Sequence, residues 1–329
     1  MSWIYKTACI GWQHPIDPAT GKGRSMKHSF GGPWTQIKLD MLRRYLGAFN
    51  TALQNRPSPT NRFRRIYIDA FAGSGECEVK TSDMAVETIA GSAKLAIETA
   101  PAFDEIHLID HNEAHVVELN ALIKGCPGVQ VHQQDANTAL QQLIRKIDWK
   151  SSRGVLFLDP YGMTVPWTTL ELAASTKALD VWYLFPLSAI YRQAANDFNK
   201  IDKGKLAALD SVLGTTVWRE QFYQSDGQAA LIDQNQTMRR VVDTEQIAAF
   251  VQGRLTEVFK GWVSQPLVLR GSKNAPLFAL FCCISNPSPK AADLSRRMAQ
   301  HILGKFYPQP KTPKQTCSKP SADQGKLFE

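Results

Sequence analysis

Four short apolar runs in this chain lead into an acidic residue: Asp69, Asp110, Asp135 and Asp159. In an open sheet of parallel strands such acids collect along one edge. They repel one another there unless a ligand donates hydrogen bonds to them. The first acid opens the turn Asp-Ala-Phe-Ala-Gly-Ser-Gly at 69–75. Gly73 and Gly75 permit positive φ and let a ligand approach the main chain closely. Asp110 lies one strand-helix-strand unit further on, at the spacing that suits a ribose diol. Any one of these acids alone could be a helix N-cap. All four together indicate a nucleoside-bearing cofactor.

The residues after the turn narrow the choice. A phosphate-binding loop needs Gly-Lys-Ser/Thr, and Glu76-Cys77 stands there instead. A dinucleotide fingerprint needs Gly or Ala at 78, where this chain has Glu78. S-adenosylmethionine is the common solution left. Six scattered cysteines form no Cys-x-x-Cys pair, so no zinc site or redox pair is expected. Cys77 reads as a small filler beside the turn. His107, His111 and His115 recur every fourth residue, but His107 falls in a strand, so one helical face cannot hold all three. Packing and surface roles are expected for them, with no metal.

The elements that position these acids follow from periodicity. Apolar residues from Ile37 to Phe49 recur at helical spacing ahead of the first strand. Strands are expected at 66–69, 105–110, 129–131, 154–159 and 179–185, with helices between them and a loop over 76–90. That alternation predicts an α/β fold with a parallel sheet. A mostly helical insertion is expected over 187–243. A helix capped by Thr244 and running to Trp262 follows, then two closing strands at 266–270 and 276–284, then a last helix. The expected organisation is an irregular arm at 1–33, a core at 34–186 and the insertion at 187–243. Closing elements at 244–303 and a disordered tail at 304–329 complete it.

The turn at 69–75 resembles motif I of class I methyltransferases, and Asp159-Pro-Tyr-Gly162 resembles the Asp/Asn-Pro-Pro-Tyr motif of amino-methyltransferases acting on adenine or cytosine. The resemblance covers roughly 34–303. It implies a Rossmann-like class I methyltransferase sheet, mostly parallel with an antiparallel ending, and a helical insertion. It also implies S-adenosylmethionine held by Lys38, Asp69, Phe71, Gly73, Gly75, Asp110, Asp135 and Ala136. Asp159, Pro160 and Tyr161 would be the catalytic residues, the acid and the proline carbonyl accepting the hydrogens of an amine. This chain has one proline where the motif has two, which shifts Tyr161 by one position. More narrowly, Pro-Trp-Thr-x-x-Lys at 33–38, the turn, Gly-Ser-Ala at 91–93 and Phe-Leu-Asp-Pro-Tyr-Gly at 157–162 are similar to the three-Cys-motif partner family. That likeness implies a partner, a radical-SAM-like protein with three cysteines.

Charge adds a second expectation. Residues 1–65 carry eleven Lys or Arg against Asp17 and Asp40, a net +9, whereas the rest of the chain nets −1. A basic face of this kind suits phosphates, with DNA favoured over RNA and Arg62, Arg64 and Arg65 as the contacts. The expected function is methyl transfer to a nucleic-acid base amine. The alternative is a non-catalytic, cofactor-binding, DNA-docking subunit of a repair or defence system. At the end of the chain, Gln324-Gly-Lys-Leu-Phe328 resembles the short peptide that docks on the bacterial sliding clamp, through Gln324, Leu327 and Phe328. No run of about 18 apolar residues exists and no signal-peptide pattern opens the chain, so no membrane contact and a cytoplasmic location are expected.

Overall fold

Strands buried on both faces set the architecture. In the computed structural model, which describes residues 32–82, 85–225, 238–271 and 274–307, β1 (Arg64–Asp69), β6 (Ser152–Leu158) and β7 (Leu179–Phe185) are buried along nearly their whole length. Near-continuous apolar runs of this kind belong in a parallel sheet covered by helices on both sides. β5 (Val129–Gln133), β4 (Glu105–Asp110), β1, β6 and β7 lie side by side in that order, all parallel. β12 (Pro276–Ile284) joins β7 antiparallel, and β10 (Trp262–Val263) and β11 (Leu267–Arg270) pair antiparallel with β12. The fold is therefore α/β, a mostly parallel, Rossmann-like sheet with an antiparallel ending. Strand order reverses between β1 and β6, and a crevice opens at the carboxyl ends of strands at such a reversal.

Two apolar layers fix the helices to the sheet. One face packs α1 (Pro33–Leu53), α2 (Ser92–Ile97), α3 (Glu113–Leu122) and α10 (Pro289–Leu303) through Tyr45, Phe49, Ala93, Leu119 and Ile302. The other packs α4 (Ala136–Lys146), α5 (Trp167–Ser175) and α9 (Thr244–Val258) through Leu140, Leu170 and Val251. Asp180 of β7 is buried between the sheet and the first layer. It accepts hydrogen bonds from Tyr45 Oη at 2.7 Å and Ser295 Oγ at 3.0 Å. After β7 come α6 (Leu187–Gln193), a 3-10 turn (Phe198–Lys200), α7 (Lys203–Leu213) and α8 (Trp218–Phe222). Their Ile190, Leu209, Trp218 and Phe222 share the second layer's core. Among the described residues no helix is long and apolar enough to cross a membrane.

Three elements differ from the sequence expectation. The stretch 76–90 is a hairpin of β2 (Glu76–Ser82) and β3 (Ala85–Ala90), because Val79, Thr88 and Ile89 favour extended pairing over a loop. The segment after α8 includes a ribbon, β8 (Tyr223–Ser225) with β9 (Met238–Arg240), so it is not helical throughout. α9 is capped by Asp243, in a capping box with Gln246, and ends at Val258; Trp262 belongs to β10. The expected clamp-docking peptide lies outside the described residues, as do residues 1–31 of the expected arm.

Candidate active site

The carboxyl ends of β1, β4, β5 and β6 border one cleft of about 190 Å³. Its lining combines small and aromatic apolar groups, Ala70, Phe71, Ala136 and Tyr161, with polar ones, Asp110, His111, Gln134, Asp135 and Thr164. Mixed lining of this sort suits a flat heteroaromatic ring carrying a polar sugar. Gly73 and Gly75 both have positive φ, at 60° and 87°. A side chain at Gly73 would meet nothing within 4 Å, so the turn leaves open space beside the main chain there. The hairpin of β2 and β3 is spliced into this turn. Gly91 N–H donates to the Gly75 carbonyl at 2.8 Å and closes the splice, so that α2 starts beside the turn despite the fifteen residues between.

Asp110 is the best-anchored acid of the cleft. Its side chain is 4% exposed. Asn112 N–H donates to Oδ1 at 2.8 Å, and Gly73 N–H donates to Oδ2 at 3.0 Å. The glycine turn and the ribose candidate are thus held in one unit. His115 Nδ1 also lies 3.2 Å from Oδ2, a contact that sequence spacing did not reveal. The period of four was legible, but it pointed to packing and surface roles, since the partner acid lies five residues back at the end of β4, off that period.

The other sequence candidates divide. Phe71 and Ala136 line the cleft. Asp135 lines it too, but also caps α4, accepting from Thr138 N–H at 2.9 Å and Thr138 Oγ1 at 3.1 Å. Asp69 does not line the cleft. It is fully buried and accepts from Tyr67 Oη at 3.0 Å, Phe71 N–H at 3.3 Å and the Ser92 hydroxyl. Burial pushes its carboxyl up to about 6 against those hydrogen bonds. Lys38 reaches across from α1 and donates to Asp159 Oδ2, with side-chain exposures of 13% and 23%. A candidate cofactor residue and the candidate catalytic acid are therefore partners. Tyr161, 58% exposed, stands at the cleft just beyond Pro160. Burial raises the Cys77 thiol, with Lys38 acting the other way, which suits a packing role.

The arginines expected to meet nucleic acid are placed elsewhere. Arg64 and Arg65 open β1, and Arg62 just precedes it, at the sheet edge opposite the cleft. Arg62 makes a two-pronged pair with Asp104 at 2.7 and 2.8 Å. Arg65 is buried against Asp104 and the Asn50 carbonyl, and Arg64 pairs with Glu105 at 3.4 Å. Burial favours protonation of Asp104, but its bonds to Arg62 and Arg65 prevail and leave it at about 2. This cluster ties β1 to β4. Among the described residues no group of three or more His, Cys, Asp or Glu could hold a metal ion.

No protein-family model and no curated protein matches the chain. The chain is similar to several solved structures. One is LPL1258 of Legionella pneumophila, a DUF519 protein, at 13% identity and TM-score 0.49 over 84% of this chain and 94% of that one. An rRNA methylase from Streptococcus thermophilus matches at 14% and 0.31 over 75% and 94%. The N-methyltransferase NodS from Bradyrhizobium japonicum matches at 8% and 0.31 over 75% and 97%. Likeness at this level carries no argument; what the site can do rests on its own geometry.

Proposed function

We propose that the chain binds S-adenosylmethionine in the cleft and transfers its methyl group to an amine of a nucleic-acid base, in DNA ahead of RNA. The observation that carries the cofactor reading is the unit made by Gly73 and Asp110. A main-chain N–H of the glycine turn holds a nearly buried carboxylate at the rim of a cleft fit for a nucleoside. Asp110 would take the ribose, Phe71 and Ala136 the adenine, and the open space at Gly73 the methionine end. When bound, S-adenosylmethionine supplies an electrophilic methyl group on a sulfonium, so the chain's own task is positioning. Asp159 and the Pro160 carbonyl would accept the hydrogens of the acceptor amine, and Tyr161 would cover its ring. A base in a duplex must be flipped out to arrive there. The acceptor reading rests on Asp159, Pro160 and Tyr161; Arg62, Arg64 and Arg65, at the opposite edge of the sheet, would meet the strand only beyond the site.

A second reading is favoured by one contact. Lys38 already occupies Asp159, as a docking or partner subunit that performs no transfer would allow. In that reading the chain serves a radical-SAM-like three-cysteine protein. Purified chain incubated with labelled S-adenosylmethionine and DNA separates the two. Transfer that Asp159→Ala abolishes, with cofactor affinity within about threefold of the parent, supports the enzyme. Cofactor binding without transfer to DNA or RNA supports the subunit.

A further inference from the structure

We propose that His115 is an exchangeable partner of Asp110, and that a bound ribose takes its place. The inference rests on the S-adenosylmethionine reading of the cleft and adds a residue to it. An ionised carboxylate has about four lone-pair positions and no donor of its own. Three are filled: Asn112 N–H on Oδ1, and Gly73 N–H and His115 Nδ1 on Oδ2. Since the carboxylate can only accept, Nδ1 carries the proton. A ribose diol brings two O–H donors to a group with one open position, so one donor must leave.

The three donors are not equally free. Gly73 N–H belongs to a turn stitched shut by Gly91 and Gly75. Asn112 N–H belongs to the N-cap of α3, whose side chain is itself held by Ala114 N–H at 2.9 Å. His115 is a side chain with two rotatable bonds, and it is 30% exposed where Asp110 is 4% exposed. It can turn to water at the cost of one hydrogen bond. His115 thus keeps Asp110 satisfied while the cleft is empty and weakens the hold on any diol that enters. The second effect would ease departure of the demethylated product.

The test is calorimetric titration of the full chain with S-adenosylhomocysteine and with its 2′-deoxy analogue. Against His115→Leu, the diol ligand should bind about three- to tenfold tighter than to the parent, because no hydrogen bond has to be broken first. The 2′-deoxy ligand, which needs only the open position, should bind parent and variant alike. Equal or weaker binding of the diol ligand by His115→Leu overturns the inference. Failure of the parent to bind S-adenosylhomocysteine overturns the cofactor reading beneath it, a separate outcome. If the variant does not fold, histidine-selective nitrogen NMR of the parent decides. Saturation should remove the hydrogen-bonded Nδ1–H signal of His115, and its persistence would refute the exchange.

Discussion

Gly91→Ala tests whether the hairpin splice governs the site. A Cβ at Gly91 would lie 2.9 Å from both the carbonyl carbon and oxygen of Gly75 and 3.2 Å from Glu76 N. Comfortable carbon contacts begin near about 3.5 Å. All three neighbours are main chain, so no side chain can turn aside. The strands must part by several tenths of an ångström, and the 2.8 Å bond from Gly91 N–H to the Gly75 carbonyl is weakened or lost. The bond is worth about 0.5–1.5 kcal/mol and the overpacking about 1–3 kcal/mol. Gly91 has φ −76°, which alanine adopts freely, so a stiffer unfolded chain returns roughly 0.4–1 kcal/mol. The net expectation is a loss of about 1–3 kcal/mol in urea unfolding. Because the same turn presents Gly73 N–H to Asp110, affinity for S-adenosylhomocysteine should fall several-fold as well. Gly47→Ala is the control: it sits in α1 with nothing within 4 Å of a new Cβ, and should gain about 1 kcal/mol. If Gly91→Ala unfolds at the parent's midpoint and binds as the parent does, the splice does not hold the turn.

Three further outcomes are expected. Burial, with His132 beside it and Glu105 opposing, lowers His107 to about 4. The unfolded chain therefore takes up the proton first as pH falls from about 6.5, and roughly 2–3 kcal/mol is lost by pH 4.5. Asp69 and Asp180, raised to about 6, act in the opposite direction. His107→Phe should isolate the histidine share: relative to the parent, its stability at pH 4.5 should rise against that at pH 7.5 by roughly 2–3 kcal/mol in urea unfolding. Lys38→Met leaves Asp159 without its cation beside buried Asp69 and should cost about 1–3 kcal/mol; adding Asp159→Leu should restore part of that loss in the same assay. A peptide of the last ten residues should bind purified sliding clamp at tens of micromolar, about −6 kcal/mol, and Leu327→Ala with Phe328→Ala should remove the binding.

How much was legible in the sequence follows from the range of each signal. The strands that end in Asp69, Asp110 and Asp159 were readable because a parallel strand buried on both faces must be apolar from end to end. The glycine turn was readable for a local reason: φ above zero at Gly73 and Gly75 needs glycine. The hairpin was hidden because β3 does not alternate polar and apolar residues and no Gly-Pro or Asn-Gly turn announces the pair. Its closure depends on Gly91, with fifteen residues between it and the turn it completes. The pairings were hidden for a further reason. Lys38 and Asp159 are 121 residues apart, and Arg62 and Asp104 are 42 apart, so composition could count their charges but not match them. The +9 of the first 65 residues therefore suggested a basic face, but could not show that Arg62 and Arg65 share one aspartate. A nucleic-acid surface can also be sought at the site itself. The cations to examine are those at the carboxyl edge, where Asp159 and Tyr161 open to solvent, since a base must reach that edge whichever phosphates hold its strand.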